Sequence, residues 1–168
     1  GRGPFALAQV AVGGDDRYAR EALANARFEL RREADLGHQV KGLPAGREHV
    51  RLARISCNFL NDRGQLDAAR PHCERALRLA ESLDGRDSLE TAGALLGLAN
   101  NYVLARRPDD ARPLLERTWT LQRELLGPGH PELLRVANSR AAMEFYAGDL
   151  DAAMARWRDA LVIAEASV

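Results

Sequence analysis

Nucleophilic or metal-ligating chemistry in this chain would have to come from Cys57, Cys73, His38, His49, His72 and His130. Their spacing builds no site. His72 and Cys73 are adjacent and so point to different sides of a helix, while His38, His49 and His130 stand in or near turn-forming segments without metal-ligand spacing. No glycine-rich phosphate loop, nucleophile elbow or His-Glu-x-x-His occurs. The expectation is therefore no catalytic residue, no metal and no cofactor. The polar chemistry lies instead in arginines and asparagines at helical spacing: Arg51, Arg54, Asn58 and Asn61 in one segment, Asn100 in a second, Arg135 and Asn138 in a third. A guanidinium pairs with a carboxylate, and a carboxamide both donates and accepts, so such a row suits an extended peptide with an acidic side chain.

The segments that carry these residues repeat. Asp67-Ala68-Ala69-Arg70-Pro71 recurs as Asp109-Asp110-Ala111-Arg112-Pro113 and continues as Asp151-Ala152-Ala153-Met154-Ala155, a step of 42 residues, with Gly64, Arg106 and Gly148 each three residues upstream. Within a unit, Leu66, Ala69, Cys73, Ala76, Leu77 and Ala80 advance by threes and fours, which is the period of a helix buried on one face. Pro71 and Pro113 are placed at helix starts, where a missing amide costs little. Preceding helices are expected over about 49–62, 90–105 and 131–147, with turns at Gly85-Arg86-Asp87 and Gly127-Pro128-Gly129-His130-Pro131. The chain thus reads as all-α, a solenoid of antiparallel helix hairpins in which each unit buries its apolar face against the next. Units are expected at 49–90, 91–132 and 133–168, after a divergent or truncated repeat over 1–48.

Bulk composition narrows the partners. With 24 basic and 24 acidic residues interleaved over 168 positions the net charge is zero, which argues against nucleic acid and anionic lipid. No apolar run approaches the ~20 residues of a membrane span. Cys57 and Cys73 fall where the repeat wants small packing residues, so a reduced, cytoplasmic chain is the simplest reading, with a disulfide open but not required. The start Gly1-Arg2-Gly3-Pro4 is neither a signal peptide nor an initiator, and the chain reads as a fragment of a larger protein.

Leu114-Leu115-Glu116-Arg117 followed by Leu126-Gly127-Pro128-Gly129-His130-Pro131, with small residues recurring at Cys57, Ala99 and Ala141 and at Ala69, Ala111 and Ala153, resembles tetratricopeptide repeats of the 42-residue, kinesin-light-chain type. The resemblance covers residues 49 to 168. It implies a superhelix whose first helices line a concave face, and a noncatalytic module for protein–protein interaction.

The polar stripe of the first of these helices, Arg51, Arg54, Asn58, Asn61 and Asp62, lies beside a wide apolar arc, as on a groove wall. Carried forward by the repeat, the stripe becomes Gly93, Leu96, Asn100, Val103 and Leu104, then Arg135, Asn138, Ala142, Phe145 and Tyr146. The expected peptide groove is Arg51, Arg54, Asn58, Asn61, Leu96, Asn100, Val103, Arg135, Asn138 and Phe145, with an acidic ligand residue near Arg54 and an apolar one near Leu96. Some members of the resembled family clamp a C-terminal carboxylate, and Arg54, Asn58 and Arg135 resemble three of the clamp positions. Gly97 and Ser139 depart from it, so an internal segment is preferred. Trp119 and Trp157 read as core residues.

Two departures stand out. Arg140 and Glu144 replace a leucine and an aromatic of the pattern and, four apart, are expected to pair with each other on an exposed helix face. Leu161-Val162-Ile163 leaves apolar surface at the end of the last helix, so that Val162 and Ile163 offer a route to a homo-oligomer. The alternative function is accordingly self-association, or a sensory or regulatory segment of a larger bacterial signalling protein.

Overall fold

The computed structural model describes residues 46–166. The truncated repeat expected over 1–48 falls almost wholly outside them. Among the described residues are six helices: α1 (Arg47–Asp62), α2 (Leu66–Asp84), α3 (Leu89–Leu104), α4 (Pro108–Leu126), α5 (Leu133–Ala147) and α6 (Leu150–Ala166). Consecutive helices pack in antiparallel hairpins, α1 on α2, α3 on α4 and α5 on α6, and each hairpin stacks on the next through α2–α3 and α4–α5. The helices that open each hairpin also touch one another in succession, α1 with α3 and α3 with α5. That contiguous layer is the inner wall of an all-α solenoid.

Small residues decide how closely the hairpins close. Cys57, Ala69, Ala99, Ala111, Ala141 and Ala153 are each at most 1% exposed, and a methyl or less at these crossings lets helix axes approach where a larger side chain would hold them apart. Leu115, Leu133 and Val136, all fully buried, then fill the seam between the second and third hairpins together with Leu96, Val103 and Met143. α3 is covered on both sides, by the hairpin before and by the one after. Its residues 94–99 are accordingly all buried, with no polar face at that level.

The helix ends follow the repeat. Ser88 caps α3, its hydroxyl accepting from the Thr91 amide at 3.1 Å, and the Thr91 hydroxyl closes the turn by donating to the Gly85 carbonyl at 2.7 Å. The position three residues before each Asp-x-Ala segment is left-handed in every hairpin, φ being 72° at Gly64, 56° at Arg106 and 87° at Gly148. Glycine meets that geometry freely, whereas Arg106 adopts it at a cost.

The prolines correct one expectation. α2 begins at Leu66 and α4 at Pro108, so Pro71 and Pro113 sit inside their helices and not at the starts. Pro108 takes the true first position, where proline is preorganised. The interior prolines leave the Asp67 and Asp109 carbonyls without a helical donor. Both aspartates are exposed, so they stand where water can act as donor.

The cysteines correct another. Cys57 and Cys73, both buried, are joined in a disulfide that ties α1 to α2, with Cα atoms 4.8 Å apart. The reading of two free thiols does not hold for this structure. Adjacent small crossing residues on paired helices lie at the separation a disulfide needs, so the packing role and the bond coincide.

Candidate functional site

The first half of the inner wall is built by two glycines of α3. A Cβ on Gly93 would stand 3.3 Å from the Arg54 guanidinium carbon, and one on Gly97 would stand 3.2 Å from the Cys57 sulfur and 3.3 Å from the Asn58 side-chain oxygen. The missing side chain at Gly93 makes room for Arg54 against α3, where it pairs with Glu90. An open cleft of about 860 Å³ lies above this seam, bordered by Arg47, Arg51, Asn58, Asp84 and Glu90. Its charges are largely spent on each other. Arg47 bonds Asp84 at 2.9 Å and Arg54 bonds Glu90, so Arg51 is the cleft's cation with no ion-pair partner among the described residues.

Asn58, exposed, and Asn100, half-buried, stand one repeat apart on α1 and α3. Neither carboxamide bonds to another described side chain, which leaves donor and acceptor available in the groove. At the far end Arg135 is exposed and 3.8 Å from Glu132. Asn138 accepts a hydrogen bond from the Trp157 indole at 3.1 Å, and Phe145 lies 6.2 Å from the same indole, ring centre to ring centre.

Three expected groove residues are withdrawn from the surface. Leu96 is 3% exposed and Val103 is 5% exposed, both in the core, because the third hairpin covers their side of α3. Asn61, 5% exposed, turns inward as well, donating to the Gly97 carbonyl at 3.1 Å. It belongs to a buried amide relay whose centre, Asn101, sequence reasoning missed. Asn101 donates to the Asn61 side-chain oxygen and to the Leu66 carbonyl, each at 2.8 Å, and accepts from the Arg70 Nε at 3.3 Å. Both its amide hydrogens and its oxygen are engaged, as a carboxamide with no solvent exposure requires. The only signal in the sequence was an asparagine on the apolar side of a helix.

Trp157 is also corrected: at 41% exposed it borders the groove and is not a core residue. Trp119 does pack against the core, with the Arg140 guanidinium 4.7 Å above its ring. Arg140 and Glu144 are corrected together. They are buried, and they do not pair with each other: Arg140 forks onto Glu116 at 2.9 to 3.0 Å, and Glu144 receives Arg112 at 2.6 and 3.0 Å. The repeat pattern explains it, since a leucine and an aromatic position stay interior whatever occupies them, and charge there must find a partner across the helix interface. The hydrogen bonds to Glu144 hold the Arg112 guanidinium above its ordinary pKa, against the smaller opposing effect of burial. Burial likewise pushes the Tyr146 hydroxyl up, although Arg106 over its ring pulls the other way.

A wall of stacked hairpin helices, small residues at each crossing and a left-handed turn in every unit is the architecture of one repeat family, and a tetratricopeptide repeat profile matches residues 51–118 and 94–166. The chain belongs to the tetratricopeptide repeat family. No curated protein sequence matches it. Tetratricopeptide repeats are in general protein-interaction modules. None of the described helices in this tetratricopeptide array is long and apolar enough to cross a membrane.

Proposed function

We propose that this array, read as the 42-residue type of tetratricopeptide repeat, is a noncatalytic module that holds an extended internal segment of a partner protein along α1, α3 and α5. The observation that carries the reading is the pair Asn58 and Asn100, two carboxamides one repeat apart that engage no other side chain among the described residues, beside Arg51, which has no ion-pair partner among them. An extended chain presents alternating amides and carbonyls, and carboxamides on successive helices answer both. Arg51 takes the acidic side chain first assigned to Arg54, whose charge Glu90 already meets. Because Leu96 and Val103 are buried, the apolar subsite moves to Phe145.

A peptide display library selected against the 168-residue chain tests this. Enriched peptides are expected to carry an acidic residue, to lose roughly tenfold or more in affinity to Arg51→Glu, and to lose a comparable amount to the Asn58→Leu/Asn100→Leu pair. Enrichment of peptides indifferent to both folded variants would overturn the groove assignment.

A further inference from the structure

Of the two C-terminal residues expected to be open, Val162 is 65% exposed, but Ile163 is 7% exposed and packs inward, so the pair forms no joint patch. The cleft above the α1–α3 seam is better defined, because two consecutive hairpins supply its walls. α1 lines one side with Arg47, Arg51 and Arg54, spaced along one stripe of the helix, and with Glu48 of opposite sign. The end of α2 and the start of α3 line the other side with Asp84 and Glu90 and no cation. Each side also holds one unanswered polar atom. The Arg54 Nε and the Asp84 Oδ2 are buried and have no hydrogen-bond partner among the described residues. One is a donor and the other an acceptor. Both belong to side chains that use a different atom in an ion pair, Arg54 with Glu90 and Asp84 with Arg47.

We infer that this cleft selects a partner segment carrying two side chains of opposite sign: the acidic residue placed at Arg51, and a nearby lysine or arginine that donates to Asp84. The inference rests on the peptide-binding reading above and adds to it a basic determinant. A buried carboxylate oxygen without a donor is unfavourable, and a cation answers it better than a neutral group because a charge-assisted bond is the stronger. Arg47 holds Asp84 only loosely. The Arg47 side chain is 84% exposed against 15% for Asp84, so solvent screens their pair, and Arg47 can yield to an incoming cation. On the opposite side Glu90 engages Arg54 through one terminal nitrogen, which leaves the Nε for a peptide carbonyl or for the acidic side chain drawn in by Arg51. The balance of charge agrees. Arg47, Arg51 and Arg54 face Glu48, Asp84 and Glu90, so an occupant of one sign alone is repelled by one side of the cleft. A segment carrying both signs satisfies each side.

An array of end-blocked peptides of about ten residues, probed with the fluorescently labelled 168-residue chain, provides the test. Every peptide carries a glutamate, and matched members carry lysine or glutamine at the same place a few residues away. Lysine members are expected to bind roughly tenfold more tightly than their glutamine counterparts. Asp84→Asn keeps the side-chain shape and should bring the lysine members down to the glutamine level while leaving the glutamine members unchanged. Arg47→Ala, at a largely exposed site, should tighten the lysine members roughly threefold by freeing Asp84, whereas a purely structural Arg47 would give a loss or no change. Circular dichroism melts check that both variants fold. Equal binding of matched members, a lysine advantage that survives Asp84→Asn, or no gain from Arg47→Ala would each overturn the inference. Peptides that ignore the lysine yet lose affinity to the Asn58→Leu/Asn100→Leu pair would leave the groove reading standing without it. No binding by any member would sink both.

Discussion

Asn101 shows how a single polar side chain holds three helices. It sits on α3, yet its bonds reach Asn61 on α1 and both Leu66 and Arg70 on α2, so the α1–α2 hairpin is docked onto α3 through one carboxamide. Truncation would strand a buried amide oxygen and a carbonyl at once. Asn101→Ala is expected to cost about 3 kcal/mol in urea unfolding, and Asn101→Asp no less, since a carboxylate cannot donate to either acceptor. An unchanged midpoint for the alanine variant would show the relay to be dispensable. By contrast Asn58, exposed, and Asn100, half-buried, bond to no other described side chain, and their replacement should leave the midpoint within about 0.5 kcal/mol. Helical spacing put Asn58 and Asn61 on one stripe. It could not separate them, because a rotation of some tens of degrees about the helix axis decides whether a side chain meets water or the next hairpin, and that rotation is set by packing.

At the scale of the element, the α1–α2 hairpin is the one with a covalent tie. It closes over 16 residues of sequence, and constraining a loop of that size removes on the order of 3 kcal/mol of unfolded-chain entropy. Cys57→Ala/Cys73→Ala is therefore expected to lower the stability of the first hairpin by about 2 to 3 kcal/mol. Hydrogen exchange should place the loss in α1 and α2, with α5 and α6 little changed. Loss spread evenly over all six helices would mean that the array unfolds as one unit. Helix identity and order were legible from the 3.6-residue period, and the turns from glycine and proline. Start positions were not. A proline looks the same at the first position and one turn inside, and only the solvation of the carbonyl it abandons distinguishes the two.

For the molecule as a whole, cohesion depends on what joins one repeat to the next. Between α4 and α5 the apolar seam of Leu115, Leu133 and Val136 is flanked by Arg140 on Glu116 and Arg112 on Glu144, in each of which one partner is buried and the other about half exposed. Glu116→Ala leaves the buried Arg140 unpaired and is expected to cost about 2 kcal/mol. Arg140→Leu in the same chain should recover most of that loss, because leucine is what the repeat pattern wants there and it buries without a charge. A double variant whose losses simply add, in a denaturant cycle, would show that the pair is uncoupled.

By itself the sequence determined the repeat, the all-α solenoid and the family, because each rests on local periodicity and on small residues recurring in register. It also determined which helices face inward. The tertiary structure decided how each residue on those helices is used. It buried Leu96, Val103 and Asn61, joined Cys57 to Cys73, turned Arg140 and Glu144 toward α4, and left Trp157 open. The physical reason is that a 42-residue period makes positions equivalent only when their neighbours are equivalent. Among the described hairpins the second is covered on two sides and the third on one, so the same position is core in α4 and surface in α6.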